Sequence, residues 1–185
     1  MENGMEDILM YDKSLLTGID FEGRSKVKFH SSASPSNPGD SLVLRPLSTG
    51  DFERGYMQLL SELTVVGEVT LDKYLARFNK MKEGGMYYVT VVEDTSRNCI
   101  VASATLILEQ KFIHECALRG RIEEVVVHKD YRGKQLGKLL MSALTLLSQD
   151  LGCYKTTLEC GESNIPFYEK FGYVKDKEVY MQNRH

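Results

Sequence analysis

Leu136, Leu139, Leu140, Ala143, Leu144 and Leu147 recur at helical spacing, a continuous apolar stripe that predicts an amphipathic helix over 136–147. Upstream, Leu42-Val-Leu-Arg45 reads as a short strand stopped by Pro46. Two helices are expected near Asp51–Leu63 and Leu71–Lys82, with a turn at Val66-Gly67-Glu68 between them and Gly84-Gly85 ending the second. Tyr87–Glu93 and Ile100–Leu108 are rich in β-branched residues and answer each other across a turn containing Ser96, Arg97 and Asn98, which predicts an antiparallel hairpin. Arg121–Val127 reads as another strand, followed by a basic turn over His128–Lys134. After the striped helix come a strand at Cys153–Glu159, a short helix at Ile165–Phe171 and a final extended run at Tyr173–Met181. The order is α/β, and the strand–helix–strand unit over 121–159 should form a right-handed parallel crossover.

The first 41 residues pattern differently. Ser31–Asp40 is dense in turn formers and supplies no packed face, so 1–41 reads as a partly ordered arm and 42–185 as a single domain. The arm's apolar patch at Ile8–Met10, with Leu15 and Leu16, could dock on the body or on a partner.

Composition narrows the classes. With 185 residues and 42% hydrophobic content the chain can bury a real core. A net charge of −3 gives no global attraction to nucleic acid or anionic membranes, so any anion must be recognised locally. No apolar run approaches the ~20 residues of a membrane span. The acidic amino terminus does not read as a secretory signal, and integral membrane association is not expected. Cys99, Cys116, Cys153 and Cys160 are scattered without zinc-like spacing, so no metal is expected and the thiols read as reduced, small buried groups in a cytoplasmic protein.

The turn before the striped helix carries candidate chemistry. In Tyr131-Arg-Gly-Lys-Gln-Leu-Gly-Lys138 the free N–H groups of a helix start, two glycines and three cations converge on what an anion requires. Neither the phosphate-loop spacing nor the dinucleotide spacing is present. An exposed, solvated basic turn is the alternative.

Arg132-x-x-Gln135-x-Gly137 resembles the pyrophosphate loop of the GCN5-related N-acetyltransferase (GNAT) superfamily, with Gln135 where many members carry glycine. The longer string Arg132–Leu140 is similar to the animal glucosamine-6-phosphate N-acetyltransferase branch. So are Leu42–Leu47, Tyr87–Asp94, Lys111–His114, Cys153–Lys155, Leu158–Cys160 and Phe167–Tyr173. The likeness spans nearly the whole chain and thins only in the arm.

The resemblance implies a GNAT fold: a mixed central sheet with two splayed parallel strands, flanked by helices. Acetyl-CoA would be the co-substrate. Its pantetheine would pair with the strand carrying Glu123, Glu124, Val125 and Val127, and its pyrophosphate would lie on Arg132, Gly133, Lys134, Gln135, Leu136, Gly137 and Lys138. Asn164, Tyr168, Glu169 and Lys170 would line the far wall. By the same resemblance Tyr168 would protonate the departing thiolate and Glu159 would orient the amine. The acceptor, glucosamine 6-phosphate, would meet Thr64, Lys111, Phe112, Ile113, His114, Tyr154, Lys155, Glu159 and Arg184, the last in trans across a homodimer. The product would be N-acetylglucosamine 6-phosphate, feeding UDP-N-acetylglucosamine synthesis. Two other readings stay open. One is a GNAT enzyme acting on a protein amine or polyamine through an acidic groove of Glu109, Glu123 and Glu124; the other is a non-catalytic acetyl-CoA-binding module.

Overall fold

A computed structural model describes residues 7–30 and 33–185. Five strands form one sheet in the order β1-β2-β3-β4-β5: β1 (Leu42–Pro46), β2 (Tyr87–Asp94), β3 (Cys99–Gln110), β4 (Leu118–Val127) and β5 (Cys153–Thr157). Neighbours are antiparallel except β4 and β5, which are parallel and joined through helix α6 (Leu136–Asp150). Short helices α1 (Ser14–Thr17) and α2 (Phe21–Arg24) belong to the amino-terminal segment. Helices α3 (Tyr56–Leu60) and α4 (Leu71–Gly84) lie between β1 and β2. A helical turn α5 (Ile113–Cys116) links β3 to β4, and α7 (Ile165–Glu169) follows β5.

Helix α6 is where the sequence pattern and the packing meet. Its stripe is fully buried, and so are Met141 and Leu146 off the stripe. A helix buried on more than one face needs cover on more than one side. The sheet supplies one, since α6 packs on β3, β4 and β5, and α1 and α2 of the amino-terminal segment supply the other. Met10, Leu16, Ile19, Phe21 and Val27 join the same hydrophobic core. Gly120 sets the approach of α6 to β4: a Cβ there would collide with Ser148 Oγ and lie 3.2 Å from Leu106 Cδ1. Ser148 Oγ in turn accepts from Thr156 Oγ1 at 2.8 Å, tying α6 to β5.

Two irregularities shape the sheet. The β3–β4 register shifts between Ser103 and Thr105, opposite a bulge at Glu124, whose φ is +55°. Bulges bend a strand and re-aim its side chains. The β4–β5 pairing then ends at Arg121 and Thr157, while β4 runs on to Val127. Beyond that point the two parallel strands part, leaving one edge of Ile122–Val127 without a strand partner.

Several expected elements differ. The helix expected over Asp51–Leu63 is a 3-10 turn, Thr49–Phe52, and the separate α3. Gly55 breaks it with φ +81°, and Asp51 closes the start of the short 3-10 turn, accepting from the Ser48 N–H at 2.7 Å and taking two hydrogen bonds of 2.7 Å from Arg45. The stretch Val66–Glu68 is irregular coil without a hydrogen-bonded turn, left-handed at Gly67 (φ +74°). Tyr173–Met181 carries no strand, and Val174, Val179, Tyr180 and Met181 are exposed. The run pairs with neither edge strand of the sheet, β1 or β5, so no ladder forms. Ser31 and Ser32 of the turn-rich stretch lie outside the described residues, as do Met1–Glu6.

Candidate active site

The loop between β4 and α6 is anchored from below by Tyr131. Its buried hydroxyl donates to Asp94 Oδ2 at 2.5 Å. The Ser96 hydroxyl, then the Tyr131 phenol, hold the Asp94 carboxyl down to about 2, and the bond to Asp94 pushes Tyr131 up to about 12. Above this base the backbone turns left-handed at Gly133 (φ +82°) and Gln135 (φ +63°) and enters α6. The first helical bond runs from Leu139 N–H to the Gln135 carbonyl at 2.9 Å. No side chain caps the helix and no acid lies in its first turn. The amides of Leu136, Gly137 and Lys138 therefore have no acceptor among the described residues, at the positive end of a fifteen-residue helix dipole. Gly137 faces Val127: a Cβ there would sit 3.5 Å from Val127 Cγ2, so this helix start adjoins the unpaired end of β4.

The loop's cations are not all free. Arg132 Nη2 lies 3.4 Å from Glu62 Oε2, which also accepts from the Lys129 N–H at 3.0 Å. Lys134 Nζ stands 4.8 Å from the Tyr131 ring centre. Lys138 Nζ donates to the Lys28 carbonyl and lies 5.0 Å from the centre of the Phe29 ring. What remains open is main chain, which suits an anion wide enough to meet several amides at once.

Across the parting of β4 and β5, Asn164 precedes α7, which carries Tyr168; Glu169 and Lys170 at its end are exposed. Tyr168 is half-buried against Phe167 and Tyr173, with ring centres 5.1 and 6.4 Å apart. Its hydroxyl has no protein partner among the described residues. Burial, and then Cys160, raise its pKa above the usual phenol value, so it stays a donor at neutral pH. Glu159 is held by Arg121, whose Nη2 lies 3.0 Å from Glu159 Oε2 while its Nε lies 3.5 Å from Glu123 Oε2. Glu124, on the bulge, has its pKa raised by burial and then by the charge of Glu123, and accepts a 3.5 Å hydrogen bond from Thr105 Oγ1.

At the other end of the β4–β5 pairing, the Lys111–Ala117 turn is closed by the Lys111 N–H to Ala117 carbonyl bond at 3.0 Å. His114 is left-handed there, and its ring centre lies 4.7 Å from that of Tyr154 on β5. Lys155 Nζ sits 5.6 Å from the same tyrosine ring. Lys111 pairs with Glu109 at 2.6 Å, as does Arg119 at 2.6 Å. The Lys111–His114 run and Tyr154–Lys155, far apart in sequence, thus meet at one edge, with Phe112 (95% exposed) and Ile113 on its surface. Thr64 and Arg184 are not brought in: both are exposed, and neither side chain makes a hydrogen bond or ion pair among the described residues. The cysteines also depart from the expected burial, since Cys116 and Cys160 are exposed and Cys99 and Cys153 only partly buried; all four are free thiols.

The model of the Acetyltransferase (GNAT) family matches residues 54–173. The chain belongs to this family. A Drosophila melanogaster protein described as "Probable glucosamine 6-phosphate N-acetyltransferase" is 50% identical over 170 residues, covering 91% of this chain and 77% of that protein. A glucosamine 6-phosphate N-acetyltransferase of Arabidopsis thaliana is 36% identical over 143 residues, 77% of this chain and 95% of its own length. A crystal structure of the enzyme from Arabidopsis thaliana superimposes with a TM-score of 0.75 at 35% identity, over 78% of this chain and 99% of that one.

This GNAT chain carries site features that its sequence did not announce. Arg119 and Arg121 were overlooked because β4 was expected to begin at Arg121; it begins at Leu118. The alternation Arg119, Arg121, Glu123 was the available signal, since residues two apart on a strand share a face. Glu62, which steadies the anion loop, had no sequence signal at all.

Proposed function

We propose that this chain is a glucosamine 6-phosphate N-acetyltransferase, moving the acetyl group of acetyl-CoA to the 2-amino group of the sugar phosphate. The observation that carries it is 50% identity, over 91% of the chain, to a relative described by that activity. The site suits the co-substrate: an uncapped, acid-free helix start abuts the open edge of β4. Gly133 to Lys138 hold the diphosphate by main-chain N–H groups, and the free edge of Glu123–Val127 pairs with the pantetheine amides.

Chemistry then follows from amide formation. The neutral amine attacks the thioester carbonyl, the C–S bond breaks, and the proton that nitrogen releases to water balances the one taken up by the departing thiolate. Tyr168 donates its hydroxyl to the departing sulfur, and Glu159, fixed by Arg121, orients the amine. Lys111, His114, Tyr154 and Lys155 receive the sugar phosphate. Thr64 and Arg184 complete that pocket, Arg184 from a second copy of the chain. The exposed tail at Val174–Met181 and the unpaired edge of β5 are the surfaces such a homodimer would cover. The acidic-groove alternative loses support, because Glu109 is neutralised by Lys111 and Arg119, and Glu123 by Arg121. No helix among the described residues is long and apolar enough to cross a membrane, and the free thiols fit a cytoplasmic enzyme supplying UDP-N-acetylglucosamine synthesis.

The test is acceptor choice. Thiol release from acetyl-CoA should depend on glucosamine 6-phosphate, and Lys155→Glu should raise the KM for that sugar while sparing coenzyme binding. Equal turnover of glucosamine without the phosphate would overturn the assignment of the pocket.

A further inference from the structure

The amino-terminal segment does more than cover α6. Arg24 donates to Asp150 Oδ1 (2.6 Å) and Gln149 Oε1 (3.1 Å) at the carboxyl end of α6. From there the chain runs past Ser142, Thr145 and Leu146 toward the helix start. At that start it makes two contacts with the anion loop. The His30 N–H donates to Gln135 Oε1 at 3.2 Å, and the Lys28 carbonyl takes the Lys138 ammonium, which also lies over Phe29. Phe29 is itself packed on Phe21, 5.4 Å between ring centres, so its partly buried ring fastens an otherwise exposed strap to the core.

Both contacts fall on side chains that would otherwise stand beside the open amides. Gln135 is the loop residue that departs from the glycine of many GNAT members. It occupies the left-handed region (φ +63°, ψ +15°) that glycine reaches freely, and unlike glycine it carries an amide that must go somewhere. Here that amide is turned onto the strap. The long Lys138 side chain is likewise drawn to the Lys28 carbonyl.

We propose that Lys28–His30 act as a positioning element of the coenzyme site: the strap parks the Gln135 amide away from the helix-start N–H groups, so that a loop lacking the usual glycine still admits the diphosphate. This rests on reading that loop as the diphosphate cradle. The strap touches no reacting atom; it acts through Gln135.

The inference predicts a specific coupling. Removing the strap's donor should matter only while the Gln135 side chain is present. In the full-length protein, His30→Pro deletes the N–H that holds Gln135. Coenzyme A titrated by calorimetry should then bind about fivefold more weakly, the worth of one neutral hydrogen bond. The acetyl-CoA KM should rise in step, and kcat should move less than twofold. In a Gln135→Gly background the same His30→Pro change should leave coenzyme affinity within twofold. An equal loss in both backgrounds would overturn the proposal, because the strap would then act by general packing. No loss in either background would overturn it as well. Gly137→Val separates this from the underlying reading: it should weaken coenzyme A binding at least tenfold whatever the strap does. Unchanged binding in that variant would remove the cradle, and the strap's role with it.

Discussion

Tyr168→Phe isolates one oxygen atom. The ring packs on Phe167 and Tyr173, and the hydroxyl bonds no protein group among the described residues, so the variant keeps its packing and most of its stability. What it loses is a donor. Burial and then Cys160 raise the phenol's pKa above its ordinary value, so at neutral pH the proton is present and available to a sulfur gaining negative charge. A hydrogen bond to a charged acceptor contributes about 1.5–3 kcal/mol. Because that charge develops only as the C–S bond breaks, the loss falls on the transition state. Turnover should therefore drop about 10- to 150-fold, with the acetyl-CoA KM within twofold of wild type. Steady-state thiol release at saturating substrates, across a range of acetyl-CoA, reads both constants. The raised pKa also fixes a sign: any loss of wild-type kcat from Tyr168 ionisation should set in at higher pH than for an ordinary exposed phenol. A variant with kcat within twofold of wild type, or one whose defect lies entirely in coenzyme KM, would refute this role.

Three further outcomes are expected. Gly120→Ala places a methyl against Ser148 Oγ and near Leu106; displacing Ser148 also breaks its bond to Thr156, so urea unfolding should show a loss of about 1–3 kcal/mol. The Asp94 carboxyl is held near 2, below the value of about 3.9 in an unfolded chain. Its stabilising effect is therefore fully present above about pH 4 and is lost as pH falls toward 2. A melting-temperature profile should show this acid limb, and Asp94→Asn should flatten it. Arg121→Gln frees Glu159 and Glu123 from their shared cation, and should raise the sugar-phosphate KM several-fold while leaving coenzyme A affinity, measured by calorimetry, within twofold.

Much of the frame was readable because its signals are local. The Leu136 stripe, the β2–β3 hairpin and the β4–α6–β5 crossover depend on period and on breakers, and all stand where expected to within a few residues. The failures are non-local. Nothing near Asp51 says that Arg45 will pin it, and nothing near Gly55 says that it will turn left-handed rather than sit inside a helix. In the amino-terminal arm only the patch at Ile8–Met10 with Leu15 and Leu16 stood out in the sequence; Ile19, Phe21 and Val27, which also join the core, lack a repeating period. Within the site, the helix-start argument needed only Tyr131–Lys138. The pairing of Arg121 with Glu159 needed the β4–β5 register, which appears only once the strands are side by side. His114 met Tyr154 through a left-handed turn that no propensity favours. Arg184 and Thr64 are exposed and are not brought to the site within the single chain.

The account stands or falls on where the acetyl group goes. Acetyl-CoA carrying a 13C-labelled acetyl can be incubated with the protein and glucosamine 6-phosphate and followed by NMR. The label should move to the amide of N-acetylglucosamine 6-phosphate in step with thiol release, and should move far more slowly to glucosamine or to a lysine peptide. A label that stays on the coenzyme, or that reaches those other amines at the same rate, would contradict the account.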